Sequence, residues 1–142
     1  MADASDFSAE GKVLTVNDDF VVFQPRDSTY ELLLSTKPKY AGPVNEPIRC
    51  LIRVASRKVY TVPSGGSFIT PISGPPRIVQ GRIKYLDERQ MVVQAGAPVI
   101  VELPKADSAY DLACGPLAVG RLVNAPALPG ATFEAVPLSQ DK

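Results

Sequence analysis

The sequence predicts an all-β protein made of two similar small β-barrel units that follow each other along the chain and pack together. Short apolar segments rich in β-branched residues recur roughly every 8–12 residues, with turn-forming residues between them, which is the pattern of small barrels and sandwiches. A segment dense in Gly, Pro and Ser, residues 63–81, lies near mid-chain, and such residues interrupt regular structure most strongly. Similar runs of apolar segments flank it, so we predict a tandem arrangement.

The first unit is predicted over residues 11–73. Its first two strands form a hairpin, because residues 12–16 and 20–24 are β-branched and apolar and an Asn-Asp-Asp turn lies between them. Further strands are predicted from alternation and flanking turn residues at 30–35, 48–54, 59–62 and 68–72. Residues 1–10 are polar and acidic, and we predict a disordered tail there.

The second unit is predicted over residues 81–138, after a linker at 74–80. Its opening stretch GRIKYLDERQMVVQ aligns without a gap with GKVLTVNDDFVVFQ of the first unit, and residues 99–103 stand where the third strand stood. Residues 105–112 are the best helical candidate, because the Gly-Pro pair that follows would end a helix. Residues 139–142 are predicted to be a second disordered tail.

Each predicted unit has four or five strands, with a loop or a short helix between the third and the fourth. This layout resembles the OB-fold or an SH3-like barrel in strand order and spacing. The sequence leaves the choice between the two open. Either fold supports many functions, so the function has to be inferred from particular residues.

The sequence contains no recognisable catalytic or metal-binding constellation. Histidine is absent, and the two cysteines, Cys50 and Cys114, stand one in each predicted unit without a CxxC pair. The usual general base and the commonest zinc ligand are therefore missing, and no GxSxG, HExxH or P-loop motif is present. We expect no enzyme activity, no catalytic residue, no metal and no cofactor. Cys50 alternates with apolar residues, which predicts a buried thiol.

Formal charge is zero overall but unevenly distributed. Residues 37–89 carry ten basic and three acidic side chains, a local net of +7, whereas residues 1–36 carry two basic and seven acidic ones. Lysine and arginine favour phosphates and aromatic rings stack on bases, so this region is the candidate surface for single-stranded nucleic acid. The candidate residues are Arg49, Arg53, Arg57, Lys58, Lys37, Lys39, Tyr40, Arg82 and Lys84, with Tyr30, Tyr60 and Tyr85 as further stacking platforms.

The function predicted first is a non-enzymatic interaction or assembly module that binds a protein partner or a second copy of itself. Neutral overall charge and Pro-rich loops favour it over nucleic-acid binding, which is the alternative. Leu14 and Leu51 are predicted to point outward, where a partner could cover them. The N-terminus lacks the features of a signal peptide, and no apolar run approaches the ~20 residues of a membrane helix. We expect a soluble, cytoplasmic protein without membrane contact.

Overall fold

A computed structural model describes residues 4–36 and 39–136, and it confirms an all-β protein with a β-barrel. The strands are β1 Ala9–Val16, β2 Phe20–Pro25, β3 Glu31–Ser35, β4 Ile48–Ala55, β5 Val59–Thr61, β6 Phe68–Thr70, β7 Ser73–Gly74, β8 Ile78–Leu86, β9 Gln90–Gln94, β10 Pro98–Glu102, β11 Tyr110–Asp111, β12 Leu122–Pro126 and β13 Thr132–Val136. Two short 3₁₀ turns complete the described structure. In the described part of the chain, no helix is long and apolar enough to cross a membrane.

Five strands close a barrel in the order β1-β2-β3-β13-β4, with β4 pairing back onto β1. The closing contact joins residues 9–11 to residues 48–50 in antiparallel register. Alternate side chains point inward, and Phe23, Leu32, Ile52 and Phe133 fill the interior. Apolar burial of this extent is the main stabilising contribution of the fold.

The remaining strands continue the same sheet from β4. β10 lies parallel to β4, β9 and β8 follow, and β12, β5 and β11 complete the order. β6 adds to β8 and β7 adds to β3. The two halves of the chain therefore exchange strands: β13 from the second half closes the barrel, while β5 from the first half pairs with β12.

The two hairpins that looked alike in sequence share structural details. Both β1–β2 and β8–β9 shift register at the same point, between Val13 and Thr15 and between Ile83 and Tyr85. Gly11 and Gly81 occupy matching places, and a Cβ on either one would overlap the carbonyl oxygen of Gln24 or Gln94. Only glycine permits that close backbone approach, so the sequence match reflects a common backbone geometry.

The N-terminal segment differs from the predicted tail over residues 1–10. Residues 4–6 form a 3₁₀ turn, β1 already begins at Ala9, and Ala4 is buried. Ala4 packs with Leu51, Val92 and Ile100 in a small second core. Leu51 is therefore buried by the chain itself and does not point to solvent as predicted, because the N-terminal segment supplies apolar cover. Residues 1–3 and 139–142 lie outside the described residues.

Two further predictions differ from the structure. The predicted linker at 74–80 contains the end of β7 and the start of β8, with Val79 and Gln80 buried in the sheet. The predicted helix at 105–112 is only a 3₁₀ turn at Asp107–Ala109 followed by β11, which pairs with β5. A helix this short is marginal in isolation. Pairing of β11 with β5 satisfies the backbone groups of Tyr110 and Asp111 in its stead.

Candidate binding surfaces

The predicted basic residues on β4 lie beside carboxylates of the flanking strands. Arg49 Nη2 is 3.3 Å from Glu10 Oε2 on β1, and Arg53 donates a hydrogen bond to Glu134 on β13. Leu51 between them belongs to the second core. The arginine charge on this strand is therefore offset by cross-strand ion pairs, and a phosphate would compete with a carboxylate at both positions.

The other candidate cations are dispersed. Lys39 Nζ lies 3.5 Å from Asp18 Oδ1, and Lys58 Nζ lies 5.0 Å from the centre of the Tyr60 ring. Arg57 is exposed, whereas Lys37 lies outside the described residues. Arg82 and Lys84 stand on β8, which β9 and β10 separate from β4 in the sheet. The structure therefore does not place them beside Arg49 and Arg53 in one continuous stripe.

Three of the four candidate tyrosines are engaged within the chain. The Tyr30 hydroxyl accepts a hydrogen bond from Ile69 N at 3.1 Å. Tyr40 donates to Pro43 O at 2.8 Å and meets the Phe133 ring edge-on, and burial raises the pKa of its hydroxyl. Tyr85 donates to Asp87 at 2.7 Å. The rings of Tyr30 and Tyr40 also pack against the main core and that of Tyr85 against the second core. Base stacking needs an open ring face, so these packed rings are poor platforms.

An open groove of about 590 Å³ lies at one end of the barrel, and we call it the charged groove. It is bordered by the start of β1, the end of β2 with the turn after it, and residues 45–49. Its charged lining consists of Glu10, Lys12, Arg26, Asp27 and Arg49. Of the residues predicted as a binding surface, Arg49 lines this groove.

Glu10 is the electrostatic centre of the charged groove. Its two carboxylate oxygens contact different arginines, Arg26 Nη1 at 2.7 Å and Arg49 Nη2 at 3.3 Å. The hydrogen bond from Arg26, with the nearby positive charges, lowers the pKa of Glu10, and the same bond raises the pKa of Arg26. Sequence reasoning missed Glu10, Lys12 and Arg26, because barrel closure brings them to Arg49. The one sequence signal was the alternation of charge at Glu10 and Lys12.

A second feature is an exposed loop at residues 112–120, LACGPLAVG, which we call the apolar loop. It contains no charged side chain, and Val119 and Leu112 are 65% and 39% exposed. Leu117 packs against the main core and anchors the middle of the loop. Two of the large apolar side chains that the structure leaves exposed therefore belong to this one uncharged loop. The uncharged run was visible in the sequence, where it was assigned only to the end of a helix.

Two arginines hold the apolar loop in place. Arg121 donates from Nη1 to Cys114 O at 2.8 Å and from Nε to Pro116 O at 3.1 Å. Arg82, predicted to bind nucleic acid, donates from Nη1 to Gly120 O at 2.9 Å. Charged donors make stronger hydrogen bonds than neutral ones. Hydrogen bonds to its carbonyl groups therefore order the loop, while the side chains of Leu112 and Val119 remain exposed.

The cysteines and carboxylates form no recognisable chemical centre in the described part of the chain. Cys50 is buried in the core, and burial raises the pKa of its thiol. Cys114 is partly buried in the apolar loop, and its backbone N–H donates to Thr61 Oγ1 at 3.1 Å. Among residues 4–36 and 39–136, no three His, Cys, Asp or Glu side chains are grouped so that they could hold a metal ion.

No protein-family model matches this chain, and comparisons with curated proteins and with solved structures yield no match either. The functional assignment therefore depends on the geometry of its own residues.

Proposed function

We propose that this protein is a non-catalytic interaction module that self-associates, or docks on a partner protein, through the apolar loop. The observation that carries the proposal is an ordered, uncharged loop with Val119 and Leu112 held in solvent. Burying each of these side chains in an interface contributes about 1.5–3 kcal/mol. Because Arg82 and Arg121 already hold the loop, little conformational entropy is lost on binding.

The scaffold of this module is, in our proposal, a pair of related small barrels of the OB-like or SH3-like kind that share strands. The matching register shifts in β1–β2 and β8–β9 support this relationship, as do the matching glycines at Gly11 and Gly81. Sharing strands joins the two halves in one hydrogen-bonded sheet. A rigid support is what an interaction loop requires to keep its apolar residues exposed.

Single-stranded nucleic-acid binding is the alternative for the basic residues of β4. The ion pairs of Arg49 with Glu10 and of Arg53 with Glu134 argue against it, since binding would separate existing pairs. Lys39 is likewise paired, with Asp18. Association through the apolar loop needs no such exchange and is the function that the geometry supports best.

The test is the oligomeric state of wild-type protein and of Val119→Asp, measured by size-exclusion chromatography with light scattering over a range of concentrations. Ile72→Asp is a matched control, because Ile72 is 60% exposed and lies outside the apolar loop. We expect wild type and Ile72→Asp to form dimers as concentration rises, and Val119→Asp to remain monomeric. A strict monomer at all concentrations, with identical pull-down profiles for the three proteins, would refute the proposal.

A further inference from the structure

Two cross-strand residue pairs occupy corresponding positions next to the two matching hairpins, and we call their positions the first and the second place. Glu10 on β1 pairs with Arg49 on β4, and Gln80 on β8 pairs with Asn124 on β12. In each case the next residue along the chain is a glycine that allows close approach of the neighbouring strand. The two places differ in what covers the sheet and in the side chains they present.

At the second place the chain covers its own sheet. Asn124 Nδ2 donates to Gln80 Oε1 at 2.9 Å, and Gln80 Nε2 donates to Gly66 O at 2.9 Å. A Cβ on Gly65 would lie 2.7 Å from Gln80 Nε2, so the backbone crosses directly over this side chain. β6 follows immediately and pairs with β8, and Gln80 is left only 8% exposed. The occupant of this place is an extended segment, residues 65–70.

At the first place the corresponding surface is open. Among the described residues, β1 pairs with β2 and β4, and no third strand adds to it as β6 adds to β8. The edge of β1 is taken by the chain after β2, where Arg26 N donates to Glu10 O at 2.7 Å, so the open surface is the face over the Glu10 and Arg49 side chains. The side chains of Glu10 and Arg49 are 42% and 49% exposed. The charged groove of about 590 Å³ occupies this position, and its volume lies in the range of roughly 300–1,000 Å³ that is typical of ligand sites.

The chemistry of the two places differs in a way that indicates an external occupant. The covered place has a neutral amide pair, whereas the open place has three cations, Lys12, Arg26 and Arg49, and two carboxylates. Each guanidinium has five N–H donors in a planar fork. Arg26 and Arg49 share the carboxylate of Glu10, and Arg26 Nε also lies 3.8 Å from Asp27 Oδ2. Because each guanidinium has five donors, both arginines keep further N–H groups, and both residues line the groove. Those donors suit backbone carbonyls and carboxylates.

We propose that the charged groove binds an extended acidic peptide segment of a partner protein. Its backbone lies over Glu10 and Arg49 as residues 65–66 lie over Gln80 and Asn124. A glycine at the crossing point permits the close approach. Asp or Glu residues on either side pair with Lys12 and with the N–H donors of Arg26 other than those that contact Glu10 and Asp27, so the existing ion pairs are kept. This site is separate from the apolar loop, and its occupancy does not depend on self-association.

The probe is a fluorescent peptide with the sequence of residues 64–70, SGGSFIT, flanked by two aspartates at each end, and its binding is followed by fluorescence anisotropy. A second peptide has lysines in place of the aspartates. The protein variants are Arg26→Gln and Arg49→Gln, with Arg77→Gln as control, because Arg77 is exposed and does not line the groove. Thermal melting confirms that each variant is folded.

We expect the aspartate peptide to bind wild type and Arg77→Gln alike, and to bind either groove variant at least about tenfold more weakly, which corresponds to ~1.4 kcal/mol. Raising the salt concentration should weaken binding, because the contacts are largely ionic. Equal binding of the lysine peptide, or equal binding by the groove variants, would overturn the proposal. So would absence of peptide binding, including the case in which inorganic phosphate alone binds and the site takes only small anions.

Discussion

Phe133 tests whether the two halves of this protein are interlocked. It stands on β13, which enters the barrel from the far end of the sequence and pairs with β4. Its buried ring contacts two aromatic residues of the first half, with ring centroids 5.9 Å from Phe23 and 5.4 Å from Tyr40. If β13 closes the barrel, then Phe133→Ala damages a core that is otherwise built from the first half of the chain.

The size of the effect follows from these contacts. Truncation of a buried phenylalanine to alanine typically costs about 3–5 kcal/mol, and each aromatic pair contributes about 0.5–1.5 kcal/mol beyond its buried area. Two such pairs place Phe133→Ala in the upper part of the range. A domain of ordinary stability has about 5–15 kcal/mol in total, so a large fraction of the free energy of unfolding is lost.

The assay is unfolding in guanidinium chloride, combined with amide hydrogen exchange. We expect a lower midpoint for Phe133→Ala and faster exchange in β1, β2 and β3, although the substitution lies about a hundred residues away in sequence. Phe133→Leu retains part of the apolar volume but loses both ring pairs, so it should destabilise the fold less than Phe133→Ala does. Faster exchange confined to β8, β9 and β10, or a loss below about 1 kcal/mol for Phe133→Ala, would refute the interlocked closure.

Three further results are expected. Gly11→Ala and Gly81→Ala should each destabilise the fold strongly in thermal melts, because the new Cβ overlaps a backbone carbonyl oxygen; an unchanged melting temperature would contradict this. A thiol reagent should label Cys114 in the native protein and Cys50 only after unfolding, because Cys50 is buried; equal rates would count against the packing. Since burial raises the pKa of Cys50, its contribution to stability is present below the unfolded pKa of about 8.5 and is lost as pH rises above that value. The free energy of unfolding measured in urea should therefore fall more at alkaline pH for wild type than for Cys50→Ala. Parallel pH profiles for the two proteins would contradict the burial of the Cys50 thiol.

Much of the local structure could be predicted from the sequence. The hairpins at β1–β2 and β8–β9 lie within a few residues of their predicted positions, and so do β3, β4 and β5. Alternation of apolar and polar residues and the turn residues between strands are local signals, so they can be read without knowledge of partners. The similarity of the two hairpins was also visible, because matching residues impose matching backbone geometry at Gly11 and Gly81.

The candidate sites were predicted less well. Arg49 lines the charged groove, but Glu10 and Arg26, which share its ion-pair network, come from other strands. Arg82, predicted to contact nucleic acid, donates a hydrogen bond to Gly120 O of the apolar loop, a contact that the sequence did not indicate. The role of a charged side chain depends on which neighbour reaches it. For Arg53 that neighbour, Glu134, is 81 residues away.

The sequence by itself determined the all-β class, the positions of most strands and the likeness of the two hairpins. Only the tertiary structure decided that β13 closes the barrel, that the N-terminal segment buries Leu51 and that residues 107–111 form a 3₁₀ turn and a two-residue edge strand instead of a helix. The physical reason is that strand propensity is local, whereas a strand satisfies its backbone hydrogen bonds with any compatible partner. Which partner it takes is settled by burial of the whole core.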